Sequence, residues 1–156
     1  MIKKLQHRNL QTANKIRVVF QASYAIEAKL LKATDFPPLK RTLENFIESN
    51  TEFYGYFKGQ DLAAVVEIKH TTQFTHIQSL VVHPDYFRLG IASKLIEFVF
   101  KHFDSELFVV ETGVDNGPAT KLYLNVGFIE VKQWDTEFGI RKVKFEKRVK
   151  KKHNFS

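Results

Sequence analysis

Cysteine is absent from this sequence of 156 residues. Without it the chain has no disulfides, no thiolate metal ligands and no covalent cysteine nucleophile. Long apolar runs are absent as well. None approaches the ~20 residues that a membrane helix needs, and residues 1–8 lack the apolar segment of a secretory signal. From these absences we expect a cytoplasmic protein with no membrane partner.

The residues that are present favour one compact domain with an aromatic core. Apolar types make up 44% of the chain, including 15 phenylalanines and 5 tyrosines. We predict that this domain spans residues 1–149 and that residues 150–156 form a basic C-terminal tail. The formal net charge of +7 fits either a solvated basic strand or an anionic ligand, and charge alone does not separate the two.

Hydrophobic periodicity predicts an α+β fold, in which strands and helices alternate along the second half of the chain. The predicted helices cover residues 9–32, 39–48, 91–103 and a fourth segment opened by Pro118. The predicted strands cover residues 53–57, 62–68, 75–82, 107–114, 128–131 and 140–149.

The strand predicted over residues 75–82 is expected to alternate without interruption. One face would then carry His76, Gln78, Leu80 and Val82, and the other Ile77, Ser79 and Val81.

The most informative segment follows this strand. Gly90 and Ala92 stand at the predicted start of a helix, where backbone N–H groups and the helix dipole favour an anion. Their small size leaves room for a pyrophosphate to approach the backbone, and Arg88 would add a positive charge. An ordinary strand-to-helix turn with one glycine explains the same residues, so this segment alone leaves both interpretations open.

Residues 87–92, Phe-Arg-Leu-Gly-Ile-Ala, resemble the acetyl-CoA loop of the GNAT superfamily, whose pattern is Gln/Arg-x-x-Gly-x-Gly/Ala. Gly90 and Ala92 match this pattern, and Phe87 departs from it at the first position. Because that side chain is not the main phosphate ligand in the family, we expect binding to survive the change. The preceding Val82-His83-Pro84 matches the Val-x-Pro end of the family's strand.

A second segment resembles the same family independently. Residues 116–128 match the pattern Asn-x-x-Ala-x-x-Leu-Tyr-x-x-x-Gly-Phe at every named position. Two motifs in the family's order are more specific than either alone, and the resemblance covers roughly residues 51–131. The chain is therefore identified as similar to acetyl-CoA-dependent GNAT N-acetyltransferases.

The resemblance implies a mixed, mostly antiparallel central sheet flanked by helices. The strand over 75–82 and the strand that begins at Leu107 would splay apart, and the pantetheine arm would lie between them. The Val82 N–H would face the acetyl carbonyl, and the Asn116 amide would bind pantetheine. The implied cofactor-binding residues are Leu80, Val82, Arg88, Leu89, Gly90, Ile91, Ala92, Ser93, Asn116 and Tyr123.

The implied reaction is direct transfer of the acetyl group to a primary amine on a small molecule or peptide. The amine must lose a proton, and the leaving thiolate benefits from gaining one. By resemblance Tyr123 lies near the sulfur as the general acid, and His76 falls where some members place a catalytic glutamate. The alternative interpretation is that His76 is a half-exposed strand residue, whereas a histidine in the first role could accept a proton directly or through water. Glu67 and Glu111 are rival bases, or groups that attract a cationic substrate.

Two other functions remain open at this point. The first is a non-catalytic module on the same fold that only binds acyl-CoA. The second is a nucleic-acid binder that uses the basic C-terminal end, although no nucleic-acid-binding motif supports it and we expect no such partner. The histidines show no ligand-like spacing, so no metal is predicted. A homodimer is compatible with the sequence.

Overall fold

The computed structural model describes residues 1–150, and within them the chain forms a seven-stranded sheet with helices on both faces. The predicted tail, residues 150–156, lies outside the described residues except for Lys150. The helices are α1 Leu10–Leu30, α2 Leu43–Glu48, α3 Ile91–His102 and α4 Gly117–Asn125. The strands are β1 Ile2–Leu5, β2 Glu52–Lys58, β3 Asp61–His70, β4 Thr75–Val82, β5 Leu107–Gly113, β6 Ile129–Asp135 and β7 Arg141–Arg148.

The sheet has the order β1-β2-β3-β4-β5-β7-β6. Every neighbouring pair is antiparallel except β4 and β5, which run parallel and pair only from Thr75 opposite Phe108 to Ile77 opposite Val110. Beyond these pairs the two strands separate. The predicted mixed, mostly antiparallel sheet with one splayed strand pair is confirmed.

Two strands differ from the prediction at the edges of the sheet. The strand β1 was not predicted, because Ile2-Lys3-Lys4-Leu5 is short and half charged; its pairing with β2 makes it a strand. The strand β6 continues to Asp135 rather than ending at Val131. Its side chains are almost all exposed, so no hydrophobic alternation marks its length.

The predicted alternation along β4 is wrong because of a bulge. Glu67 pairs with Ser79 and Ile68 with Ile77, so Gln78 is left without a partner on β3. As a result Ile77 packs in the same core as Leu80 and Val82 rather than with Val81.

Two hydrophobic cores hold the helices to the sheet. On one face α1 and α2 pack on β2, β3 and β4 around buried Phe20, Phe46 and Phe53. On the other face α3 and α4 cover β3, β4, β5 and β7. No helix within residues 1–150 is long and apolar enough to cross a membrane.

The end of α1 is fixed over the end of β5. A Cβ on Gly113 would lie 2.5 Å from the end of the Leu31 side chain, so the glycine lets this side chain pack directly against the β5 backbone. The contact brings the last turns of α1 to the place where β4 and β5 have separated.

Candidate active site

A cleft of about 1420 Å³ opens where β4 and β5 separate. The His83 N–H donates to the Ala63 carbonyl on β3 at 2.8 Å. Because backbone groups alternate in direction along a strand, the N–H and C=O of Leu80 and Val82 point away from β3 and into this opening. Both residues line the cleft, as the sequence predicted.

The loop before α3 forms one wall of the cleft. Arg88 and Gly90 both have positive φ, 65° and 72°, and α3 begins at Ile91 without a side-chain cap. The first backbone N–H groups of α3 are therefore directed outward without an intrahelical partner. A Cβ on Gly90 would meet nothing within 4 Å, so the glycine is needed for its backbone angle and leaves open space in front of it.

Tyr123 enters the cleft from α4. Its ring packs against Phe128 and Phe145, at centroid distances of 5.6 and 5.8 Å. Within the described chain its hydroxyl has no hydrogen-bond partner. Burial, together with the negative charge of Glu27, raises the pKa of Tyr123. The phenol is therefore protonated at neutral pH and is available as a donor.

Glu27 reaches the same cleft from α1. Its Oε1 accepts a hydrogen bond of 2.9 Å from Asn116 Nδ2 and a longer one of 3.4 Å from Thr112 Oγ1. Burial raises the pKa of Glu27, and these two donors and Lys142 oppose the rise. The other oxygen, Oε2, carries no hydrogen bond from the described residues.

Asn116 uses its amide at both ends. Its Oδ1 accepts from the Ala119 N–H at 3.2 Å and caps α4, while its Nδ2 holds Glu27. One amide N–H of Asn116 remains for the pantetheine contact implied by the resemblance, so that contact stays a prediction.

Glu67 is occupied by structural contacts. Its carboxylate forms a two-point ion pair with Arg41, at 2.7 and 2.9 Å, and also accepts from Thr51 and Ser79. These hydrogen bonds and the Arg41 charge hold its pKa below the usual range despite burial. Among the residues described, Glu67 is also not one that lines the cleft. This geometry argues against Glu67 as the base.

His76 lies on the side of the sheet opposite to the one predicted. Since Ile77 shares a face with Val82, alternation turns His76 to the opposite face, and within residues 1–150 it is not part of the cleft wall. Burial lowers the pKa of His76, and Glu111 partly offsets this. The expectation that His76 shares a face with Val82 is therefore wrong. Glu111 does line the cleft, with its Oε1 3.8 Å from Lys142 Nζ.

A comparison with known protein families shows which family this chain belongs to. The sequence profile of the Acetyltransferase (GNAT) family matches residues 20–128, more than half of the chain. The chain belongs to the GNAT acetyltransferase family. The resemblance noted from the two motifs is thereby confirmed, and this GNAT domain carries the helix-start loop and the splayed strands together.

One curated protein and several solved structures are similar to this chain. The UPF0157 protein YqkA of Bacillus subtilis is 35% identical over 129 residues, covering 82% of this chain. The chain spans only 38% of the length of YqkA. Among solved structures, the ribosomal-protein-S18-alanine N-acetyltransferase of Escherichia coli superposes with a TM-score of 0.76 at 16% identity, covering 98% of this chain and 96% of its own.

A second solved structure was determined with coenzyme A. The PaiA N-acetyltransferase of Thermoplasma acidophilum superposes with a TM-score of 0.72 at 18% identity, covering 96% of this chain and 98% of its own. At such identities these structures establish that the GNAT fold is shared.

The sequence analysis missed Glu27. The apolar residues of α1 recur as Ala13, Ile16, Phe20, Tyr24, Ala28 and Leu31. Glu27, the one carboxylate of α1, stands beside Ala28 and three residues after Tyr24, at the edge of this stripe. A single carboxylate beside an apolar helix stripe was the available signal, because burying such a group is costly unless it has a hydrogen-bonding or charged partner.

Proposed function

We propose that this chain transfers the acetyl group of acetyl-CoA directly to a primary amine. The observation that carries the proposal is the juxtaposition, in a GNAT chain, of a strand gap with an uncapped helix start. The gap between β4 and β5 offers free backbone groups to an extended amide-bearing arm. The start of α3 offers outward-pointing N–H groups to phosphates.

In this proposal the loop from Arg88 to Ser93 binds the pyrophosphate. The N–H groups of Leu89, Gly90, Ile91, Ala92 and Ser93 would donate to its oxygens, and Arg88 would add charge. The exposed Phe87, which replaces the polar residue of the family's pattern, leaves these backbone donors in place. Acetyl-CoA, when bound, supplies the reactive thioester, and no metal is needed for its transfer.

Residues on the cleft wall would stabilise the developing oxyanion, hold the pantetheine arm and protonate the sulfur. The Val82 N–H would donate to the acetyl carbonyl oxygen and stabilise the charge that develops there. The Leu80 backbone would pair with the pantetheine arm. The Tyr123 hydroxyl would give its proton to the departing sulfur. The absence of cysteine agrees with direct attack by the amine rather than an acetyl-cysteine intermediate.

A matched pair of variants tests the cofactor site. Gly90→Ala adds one methyl group in open space and strains the positive φ, so folding should weaken by about 1 kcal/mol while acetyl-CoA affinity falls by less than about tenfold. Gly90→Glu has the same strain but puts a negative charge where the phosphates bind. Its acetyl-CoA affinity, measured by titration calorimetry, should fall at least a hundredfold below that of Gly90→Ala. Equal affinities in the two variants would contradict the assignment of the loop.

A further inference from the structure

Two carboxylates on the cleft wall, Glu27 and Glu137, have no cation in contact with them within the described residues, and of the two only Glu27 is partly buried. Within the part of the chain that the structure describes, Arg41 pairs with Glu67 and Lys142 lies near Glu111, but no lysine or arginine lies within 4.0 Å of Glu27. Lys142 acts on Glu27 only from beyond that distance, and a partly buried carboxylate with no cation in contact is costly. The first ammonium to enter the cleft would supply that cation.

Aromatic side chains line the same cleft as Glu27. Tyr24 lies one turn before it on α1 and packs edge-to-face against Phe36 at a centroid distance of 5.8 Å. Phe138, in the turn between β6 and β7, is 45% exposed although it lines the same cleft. An exposed phenylalanine on a cleft wall is typical of a surface that a ligand covers.

We propose that Glu27 receives and deprotonates the acceptor ammonium, and that the walls formed by Tyr24, Phe36 and Phe138 select a primary amine carried on an apolar, preferably aromatic, body. This inference rests on the proposed acetyl transfer and adds its base and its substrate class. Polyamines fit these aromatic walls poorly, because they carry a second charge in place of an apolar body; that charge could reach Glu111 or Glu137 only by leaving the rings uncovered.

The oxygen that takes the proton is identified by the hydrogen bonds. Asn116 and Thr112 both hold Oε1, so Oε2 is the oxygen free to meet the amine. The raised pKa of Glu27 brings its proton affinity closer to that of an amine than an ordinary glutamate would be. The proton affinity of the base is thus matched to the amine by the partial burial of Glu27.

The acetyl transfer begins with a proton transfer to Glu27. Glu27 takes one proton from the ammonium, and the freed nitrogen lone pair forms the C–N bond to the acetyl carbon. The C–S bond breaks, and the sulfur takes the Tyr123 hydroxyl proton. The second nitrogen proton restores the Tyr123 hydroxyl, and Glu27 releases its proton to water. The net products are the amide, the CoA thiol and one proton.

The first test ranks three amines with the wild-type protein at saturating acetyl-CoA, reading free thiol. Phenethylamine and ethylamine differ only in the phenyl group, and spermidine is a polyamine. Phenethylamine should have a kcat/KM at least tenfold above those of the other two. An equal or better rate with ethylamine or spermidine overturns this inference but leaves acetyl transfer standing. Failure of all three amines to release thiol overturns this inference, and failure of every amine and peptide in a wider panel overturns the acetyl transfer itself.

The second test uses one variant of the aromatic wall and one variant of the proposed base. Phe138→Ser, an exposed turn position, should lower kcat/KM for phenethylamine toward that for ethylamine.

Glu27→Gln should lower kcat/KM for phenethylamine at pH 7 by at least ~10²-fold, with acetyl-CoA affinity unchanged. Its rate should recover as pH approaches ~10, where the amine deprotonates in solution. The control Glu97→Gln, on the exposed side of α3, should behave as wild type. A Glu27→Gln variant that has the wild-type rate and pH profile overturns the assignment of the base, and an unchanged amine preference in Phe138→Ser overturns the aromatic wall.

Discussion

Asn116 Nδ2 donates a hydrogen bond of 2.9 Å to Glu27 Oε1, although the two residues are 89 positions apart. The same asparagine caps α4, the helix that carries Tyr123 into the cleft. One side chain therefore sets the position of the helix with the proposed acid and of the carboxylate with the proposed base. This relationship gives the asparagine of the second family motif a role beyond the start of a helix.

Two substitutions separate the roles of Asn116. Asn116→Ala removes the cap and should cost about 1 kcal/mol of folding free energy, whereas Asn116→Ser keeps a capping oxygen and should cost much less. Both variants remove the N–H donor to Glu27. Because that donor favours the charged carboxylate, its loss should raise the pKa of Glu27 further.

The measurement is the pH dependence of kcat/KM for acetyl transfer. The groups that face Glu27 are Thr112, Lys142, Tyr24 and Tyr123, and none is changed by either substitution. The acid limb should move to higher pH by a similar amount in both Asn116→Ala and Asn116→Ser. An acid limb that moves in Asn116→Ala alone would mean that the cap, rather than the hydrogen bond to Glu27, controls the rate.

Tyr123→Phe isolates the proposed acid. The substitution keeps the ring that packs on Phe128 and Phe145 and removes only the hydroxyl. General acid catalysis typically contributes ~10²–10⁴-fold, so kcat should fall at least tenfold while acetyl-CoA affinity changes little. Since the charge of Glu27 raises the pKa of Tyr123, protonation of Glu27 makes the hydroxyl more acidic when the sulfur needs its proton. A wild-type kcat in Tyr123→Phe, under conditions where chemistry limits the rate, would assign Tyr123 to packing alone.

The Arg41–Glu67 pair should govern acid stability rather than activity. The folded-state pKa of Glu67 lies below its unfolded value, so the pair stabilises the fold above pH ~4.3 and this contribution is lost as pH falls through the lower, folded-state value. Glu67→Gln leaves Arg41 without its buried partner and should cost about 3–5 kcal/mol.

Thermal unfolding between pH 3 and pH 7 measures this effect. The Tm of the wild type should fall as the pH is lowered, and the Tm of Glu67→Gln should be lower at pH 7 and depend less on pH. Glu44→Gln, an exposed carboxylate on α2, is the matched control and should follow the wild type. A wild-type Tm at pH 7 in Glu67→Gln would show that the pair contributes no stability.

The parts of the fold that the sequence predicts are those with local patterns. The loop at Gly90 and the helix that carries Tyr123 lie within continuous segments whose residue types are each required by a turn, a cap or a helix face. In contrast, β1 is fixed by its pairing with β2 across the fold. The bulge at Gln78 depends on the register with β3, and a single-strand pattern does not contain it.

The proposed base is the site residue that local patterns could least identify. His76 was predicted by counting back from Gly90, and the bulge between them reversed its face. Glu67 carries a suitable side chain, but its partner Arg41 lies 26 residues earlier. Glu27 meets Thr112 and Asn116 only after the whole sheet has formed. Tertiary contacts therefore select among the carboxylates that the sequence offers.

The central claim is that this chain moves an acetyl group from CoA to an amine. The most direct measurement incubates the protein with acetyl-CoA labelled with ¹³C in the acetyl group and with phenethylamine, and follows free thiol and labelled N-acetyl product together by NMR. The account predicts that the two products rise in equal amounts and that Tyr123→Phe slows both equally. Tight binding of acetyl-CoA without thiol release, with phenethylamine and with every other amine tried, would contradict the account and would instead indicate an acyl-CoA-binding module.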